Sequence, residues 1–281
     1  MAWLQAAVRG VGQVVFLPGV ASGLIVLGAL AWANVWAALA GLAGSLLGAA
    51  TARLLGRQVS EITAGLWGFN GALVAMAGEA LGVLGWSLVA VPLTVPLAML
   101  LTRLLAPRPT YTLPFIVVAM GLAALAPPAL GGRFEEPTYL DVARGLSQIY
   151  LVNHPIAGLG VLLAIAVHRP GWAVVAWIGA LVGTNAWILG ELVPLTFGQA
   201  WLGGLLGFNP ALAALAVGVR HPGRLGLALL AALIATALTL AATALPWPVF
   251  TLPFVLAAWC SEAIAHRFAT PTPRSASKEA T

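Results

Sequence analysis

The sequence is a succession of apolar stretches separated by short breaks, and this pattern dictates the solvent before anything else. A helix needs about twenty apolar residues to cross a bilayer. Ten candidate spans occur, near 20–33, 35–52, 66–82, 84–102, 113–130, 155–167, 172–189, 201–218, 225–245 and 250–266. Two further apolar stretches, 3–17 and 139–152, read as too short or too polar to span. Charged residues make up 7% of the chain and apolar ones 61%, whereas a soluble domain is about 25% charged. No water-soluble fold hides this much apolar side chain, so the surroundings are lipid. The expected fold class is an all-α integral membrane protein, with ten transmembrane helices plus half-membrane or tilted ones.

The basic residues give an orientation. With ten spans, one side collects Arg9, Arg53, Arg57, Arg103, Arg108, Arg169, Arg220, Arg224, Arg267, Arg274 and Lys278. The other side holds Arg133 and Arg144. Cytoplasmic loops carry the excess of Lys and Arg, so both termini are expected in the cytoplasm of a multi-pass cell (inner or plasma) membrane protein. The pI near 10.4 follows from this one face and calls for no nucleic-acid partner. The start, "MAWLQAAVRGVGQ", does not look like a cleaved signal peptide. The tail "ATPTPRSASKEAT" is polar and is expected to be disordered.

The chain also repeats itself. "GVGQVVF" (10–16) resembles "GLSQIYL" (145–151), "LWGFNGAL" (66–73) resembles "LLGFNPAL" (205–212), and "YTLPFIVVAM" (111–120) resembles "FTLPFVLAAW" (250–259). Three ordered matches divide the chain into a first repeat (1–130), a polar external linker (131–144), a second repeat (145–267) and a cytoplasmic tail (268–281). Five spans per half is an odd number, so the second half enters the membrane upside down. Such inverted repeats place a substrate site near the midplane, around a central pore between the halves.

Polar groups inside apolar stretches are the candidate functional residues. Gln13 and Gln148 occupy matching places, each followed three residues later by a bulky apolar side chain, Phe16 and Leu151. Either glutamine alone could simply bond to backbone. Asn70 and Asn209 follow Phe69 and Phe208 and read as helix starts at membrane depth, the asparagine acting as a cap. Gly71 and Pro210 then occupy first-turn positions, where proline is tolerated. An aromatic beside such a turn can wall a pore, although a lone Phe is more often core packing. "TLPF" at 112–115 and 251–254 supplies a third pair, because proline removes an N–H and frees upstream carbonyls. At membrane depth those carbonyls need protein or a polar cavity. A passage lined by such acceptors suits a small neutral solute rich in N–H donors.

Other chemistries find no support. Glu61, Glu79, Glu191 and Glu262 lie near predicted ends, not at clear mid-span positions. His154, His168, His221 and His266 fall at or near loops. The single cysteine, Cys260, has no partner for a disulfide and no metal-ligand neighbours in sequence. No phosphate-binding loop or catalytic triad is visible, so neither an enzyme nor a cofactor nor a metal is expected. Gly44 and Gly48 form a small-xxx-small pair, a weak sign of a helix contact.

The doubled "GQV"-like, "GFN…L" and "TLPF" segments resemble those of the bacterial urea transporters, also called urea channels, from about residue 8 to 266. The resemblance implies a homotrimer with one pore per protomer, conducting urea passively down its gradient. It also implies a flat slot with aromatic or aliphatic walls and two ladders of oxygen acceptors. By that resemblance Phe16 and Phe69 sandwich urea at one end, with Leu151 and Phe208 as their counterparts at the other. Gln13 and Gln148 face the pore, and Thr112 and Thr251 line the constriction opposite Leu73 and Leu212. The second half departs at Leu151, which makes one rim less aromatic, and no Glu acquires a pore role.

Three rival readings compete. A water channel explains Asn209-Pro210-Ala211 but neither ten spans nor the doubled "TLPF". An ammonia channel calls for paired histidines deep in the pore. An ion- or proton-coupled secondary transporter of small amides fits an inverted repeat equally well and calls for acids inside the membrane.

Overall fold

The structure is a computed structural model that describes residues 2–126, 138–186, 205–242, 245 and 247–267. The described residues contain helices and turns and no strand. Glu191, Arg133 and the tail 268–281 lie outside them, as does the first half of the expected linker, 131–137. The other half is described from Thr138, and from Asp141 it already belongs to a helix.

The first half begins with α1 (Ala2–Gln13), α2 (Val20–Ala33) and α3 (Val35–Leu54), followed by the short α4 (Val59–Thr63) and α5 (Phe69–Ala80). Next, α6 (Leu84–Ala90) and α7 (Thr94–Leu105) run end to end through a tight turn, and α8 (Leu113–Leu125) completes the half. The second half holds α9 (Asp141–Gln148), α10 (Pro155–His168), α11 (Pro170–Thr184), α12 (Phe208–Arg220), α13 (Leu225–Ala242) and α14 (Leu252–Arg267). Each of the ten apolar candidate stretches overlaps at least one of these helices.

Their starts follow local chemistry. Asn34 caps α3 by accepting from the N–H groups of Trp36 and Ala37 at 3.0 and 3.1 Å, which satisfies orphan donors of the first turn. Pro155 and Pro170 open α10 and α11, where a missing N–H costs nothing. Asp141 begins α9, accepts from the Thr138 N–H at 2.8 Å and pairs with Arg144 at 2.9 Å. A carboxylate there also complements the helix dipole.

Length separates two kinds of helix. Val35–Leu54, Leu84–Leu105 and Leu225–Ala242 are long and apolar enough to cross a bilayer. By contrast α5 has 12 residues and α8 and α12 have 13. At about 1.5 Å per residue such helices cover only part of a ~30 Å hydrocarbon core. The "TLPF" prolines therefore do not interrupt spans: Pro114 and Pro253 stand in the first turns of α8 and α14.

Two of the short helices, α5 and α12, are buried in the interior. Every residue of α5 from Asn70 to Gly78 is buried, and so is every residue of α12 from Asn209 to Val217. Glycine allows this closeness. A Cβ on Gly44 of α3 would overlap the Gly71 carbonyl of α5, and one on Gly183 of α11 would overlap the Leu206 carbonyl. Gly48 likewise faces the Trp67 carbonyl, so the small-residue pair of α3 is a true contact face. Outward faces are the opposite, with Trp32, Trp36, Leu54, Trp86, Val89 and Leu104 exposed. Such apolar exteriors are stable in lipid, and the chain is a membrane protein.

Candidate solute pathway

The matched sequence segments adopt matched backbones. Helices α1 and α9 both end on the paired glutamines, Gln13 and Gln148. In the turns that follow, Phe16 has φ 62° and Leu151 φ 57°. Each donates its N–H back to the preceding glutamine carbonyl at 3.0 Å. Tyr111 (φ 46°) and Phe250 (φ 47°) form a second matched pair just ahead of α8 and α14. Positive φ in bulky non-glycine residues is strained and persists only where surrounding packing over-determines it.

Asn70 and Asn209 supply that constraint. The expected role, capping their own helices, does not hold. The N-cap residues of α5 and α12 are Gly68 and Gly207, with the asparagines inside the first turn. Each asparagine instead clamps the neighbouring helix start. Asn70 donates through Nδ2 to the Tyr111 carbonyl at 3.4 Å and accepts at Oδ1 from the Phe115 N–H at 3.1 Å. Asn209 does the same with the Phe250 carbonyl and the Phe254 N–H, both at 3.2 Å. An amide suits the task because it carries a donor and an acceptor side by side. One side chain thereby fixes the positive-φ turn and satisfies an orphan N–H of the next helix.

The helix starts meet at Thr112 and Thr251, whose hydroxyls are 2.7 Å apart and hydrogen-bonded. Both are buried, at 4% and 3% exposure. Leu73 and Leu212 are buried in the same central cluster. Phe16, Phe69, Leu151 and Phe208 are half-buried and pack against it. Thus the sequence candidates divide into a dry centre and a partly exposed set around it. Gln13 is half-buried and donates to the Ala64 carbonyl at 2.9 Å, the backbone bond that was the alternative to a pore-facing role. Gln148 is buried at the end of α9.

Three further residues join the site. Tyr150, fully buried, donates from its hydroxyl to the Val11 carbonyl of the other half at 3.0 Å. Tyr111 packs its ring edge-on to Phe16, with centroids 6.3 Å apart. Its hydroxyl donates to Glu262 Oε1 at 2.8 Å. Glu262 also takes Arg220 Nε at 2.6 Å, so the acid expected near a helix end is in fact buried and paired. The aromatic ahead of each "TLPF" was visible as a repeated feature, whereas nothing local in the sequence links Tyr111 to a residue 151 positions away.

A family model described as "Urea transporter" matches residues 1–129 and 133–271. Urea transporter 1 of Ovis aries is 33% identical over 239 residues, covering 75% of this chain and 61% of that protein. Urea transporter 1 of Rattus norvegicus is 31% identical over 248 residues, covering 78% of this chain and 62% of that protein. The chain therefore spans about three fifths of the length of the curated relatives it matches. With a family model matched along nearly all its length, the chain belongs to the urea transporter family.

Proposed function

We propose that the chain conducts urea passively across a cell membrane, through a narrow slot between its two halves. The observation that carries this reading is the buried Thr112–Thr251 hydroxyl pair among apolar side chains. Two hydroxyls hold two donors and four acceptor lone pairs, and their mutual bond leaves one donor and three acceptors. That surplus of acceptors suits a neutral molecule rich in N–H groups. Phe16, Phe69, Leu151 and Phe208 offer flat apolar faces for a planar solute, with Leu73 and Leu212 opposite the threonines and Gln13 and Gln148 beside the rims. An ion would lose its hydration against such walls without replacement.

In this reading the halves, 1–130 and 145–267, are inverted repeats of five spans each, joined by the external segment 131–144. The positive-inside bias puts both termini in the cytoplasm of the inner or plasma membrane. The exposed apolar faces of α6 and α7 contact lipid or other copies in a homotrimer, each protomer with its own pore. Buried Glu262 is an observation that favours a coupled carrier, because buried acids serve as proton relays. Its engagement by both Arg220 and the Tyr111 hydroxyl favours the channel, since the carboxyl is already tied to the protein.

Purified protein in liposomes tests the choice. Stopped-flow light scattering should show fast urea flux that ignores pH and Na⁺ gradients and resists saturation. Uptake that demands an ion gradient would replace the channel with the coupled carrier. Water or ammonia flux without urea flux would favour the other small-solute channels.

A further inference from the structure

The two halves are not equivalent at their edges. Thr112 and Thr251 lie 139 positions apart, and the same shift pairs Tyr111 with Phe250, Glu262 with Ala123, Arg220 with Leu81 and Trp259 with Met120. In each pair only the first residue has the polar atom used in the contacts that follow. The Tyr111 hydroxyl and Arg220 Nε both donate to Glu262 Oε1. Two turns of chain ahead of α8 are thus tied to α14, because Trp259 Nε1 also donates to the Pro109 carbonyl at 2.8 Å. Phe250 has no hydroxyl to offer and Ala123 no carboxylate to receive one.

We propose that the Tyr111–Glu262–Arg220 latch holds the Phe16 ring in place and gives the slot one rigid, shape-selective end. This rests on the slot described above but assigns it residues outside its lining. Tyr111 cannot use its hydroxyl on a passing solute while Glu262 accepts it, so its contribution runs through its ring. That ring stands at 90° to Phe16 and packs against Phe254 at 5.1 Å. Edge-to-face pairs prefer a fixed orientation, and fixing one ring fixes the other. Arg220 completes the latch by donating to the same Glu262 oxygen, and Glu262 in turn locks a tyrosine that would otherwise swing about its strained turn. Tyr111, Glu262 and Arg220 are positioning residues in this scheme. The end that carries Leu151 lacks the latch and adapts more freely to the solute.

Tyr111→Phe is the decisive variant, because Phe250 already occupies the matching turn at nearly the same φ, and folding should survive. Glu262→Gln is the second variant, retaining an acceptor for Tyr111 while losing the charge that holds Arg220. Flux of urea and of N-methylurea is measured in liposomes, together with thermal unfolding. Tyr111→Phe is expected to conduct urea with a urea-to-methylurea permeability ratio about three- to tenfold lower, the span of one aromatic contact. Glu262→Gln should fall between it and the native chain. An unchanged ratio in Tyr111→Phe overturns the proposal, whatever happens to the melting temperature. A native chain that passes no urea sinks the transport reading instead. The latch is then decided by an experimental structure of Tyr111→Phe, where a Phe16 ring in its original orientation overturns it and a displaced ring supports it.

Discussion

The hydroxyl of Thr112 bonds the hydroxyl of Thr251 at 2.7 Å, joining two residues 139 positions apart that hold the same place in matched segments. A bond between equivalent side chains is what an approximate two-fold axis through this point would produce. The helix pair α2 and α10 has the same character, with Gly160 against Ala29 and the two helices at matching places in their halves. This shared bond makes a double-mutant cycle informative. Thr112→Val alone strands the Thr251 hydroxyl in a buried site, at a cost of about 1–3 kcal/mol. The double variant removes both partners and keeps the shape, so its thermal destabilisation should be smaller than the sum of the singles. Urea flux behaves differently. If the threonines line the proposed slot, the double variant should conduct about fivefold more slowly, because roughly 1 kcal/mol of acceptor stabilisation is lost there. Unchanged flux would remove the threonines from the pathway.

Asn70 and Asn209 give a second prediction. Each bonds a carbonyl in a strained turn and an N–H at a helix start. Asn70→Ala leaves both groups buried without that partner, at a cost of about 2 kcal/mol or more. Tyr111 is released as well, so urea flux should fall along with the melting temperature. Asn70→Asp is the sharper probe. It keeps an acceptor for Phe115 N–H but turns an oxygen toward the Tyr111 carbonyl in place of the donor. It should therefore be worse than its small change in size suggests. An aspartate variant with native stability and flux would show that the Tyr111 bond is dispensable.

This clamp shows what was and was not legible in the sequence. Apolar length revealed the helices, and repeated "GFN" and "TLPF" located the segments that meet. Spacing along one helix could suggest only that Asn70 caps its own start. Its actual partners, Tyr111 and Phe115, are 41 and 45 positions away, and only packing brings them within reach. Glu262 does stand near the end of α14, as counting along the sequence gives, but its burial against Tyr111 and Arg220 was not legible for the same reason. Some helix lengths were overestimated because apolar residues continue past the helix end into a turn. The apolar run near 66–82 includes such a turn, yet α5 begins only at Phe69.

Glycine substitutions should separate close packing from simple flexibility. Gly44→Ala places a Cβ against the Gly71 carbonyl, a backbone group that cannot step aside. The folded yield in detergent should collapse, with the remainder melting early. Gly28 lies in α2 with open space around its missing Cβ. Gly28→Ala should be neutral or stabilising by about 1 kcal/mol, since alanine is the better helix former. Size-exclusion profiles and melting curves of the two variants provide the comparison, and equal behaviour would refute the close contact of α3 with α5.

The last prediction concerns the less aromatic rim. Leu151 and Phe16 occupy matched turns with φ 57° and 62° and the same 3.0 Å bond back to a glutamine carbonyl. The backbone therefore already accepts phenylalanine in this conformation, so Leu151→Phe adds little new strain. Leu151 is half-buried, which leaves room for a larger side chain to extend outward. A second aromatic opposite Phe208 would offer urea a flat face where an aliphatic one now stands. Stacking contacts of this kind contribute about 0.5–1.5 kcal/mol. Urea should bind that end about three- to tenfold more tightly, and equilibrium binding would detect it. A deeper well at one end also slows escape, so the maximum flux should drop as the half-saturation concentration falls. A lower maximum flux with an unchanged or higher half-saturation concentration would indicate a narrowed passage rather than a stickier one. No change in either would place Leu151 off the pathway.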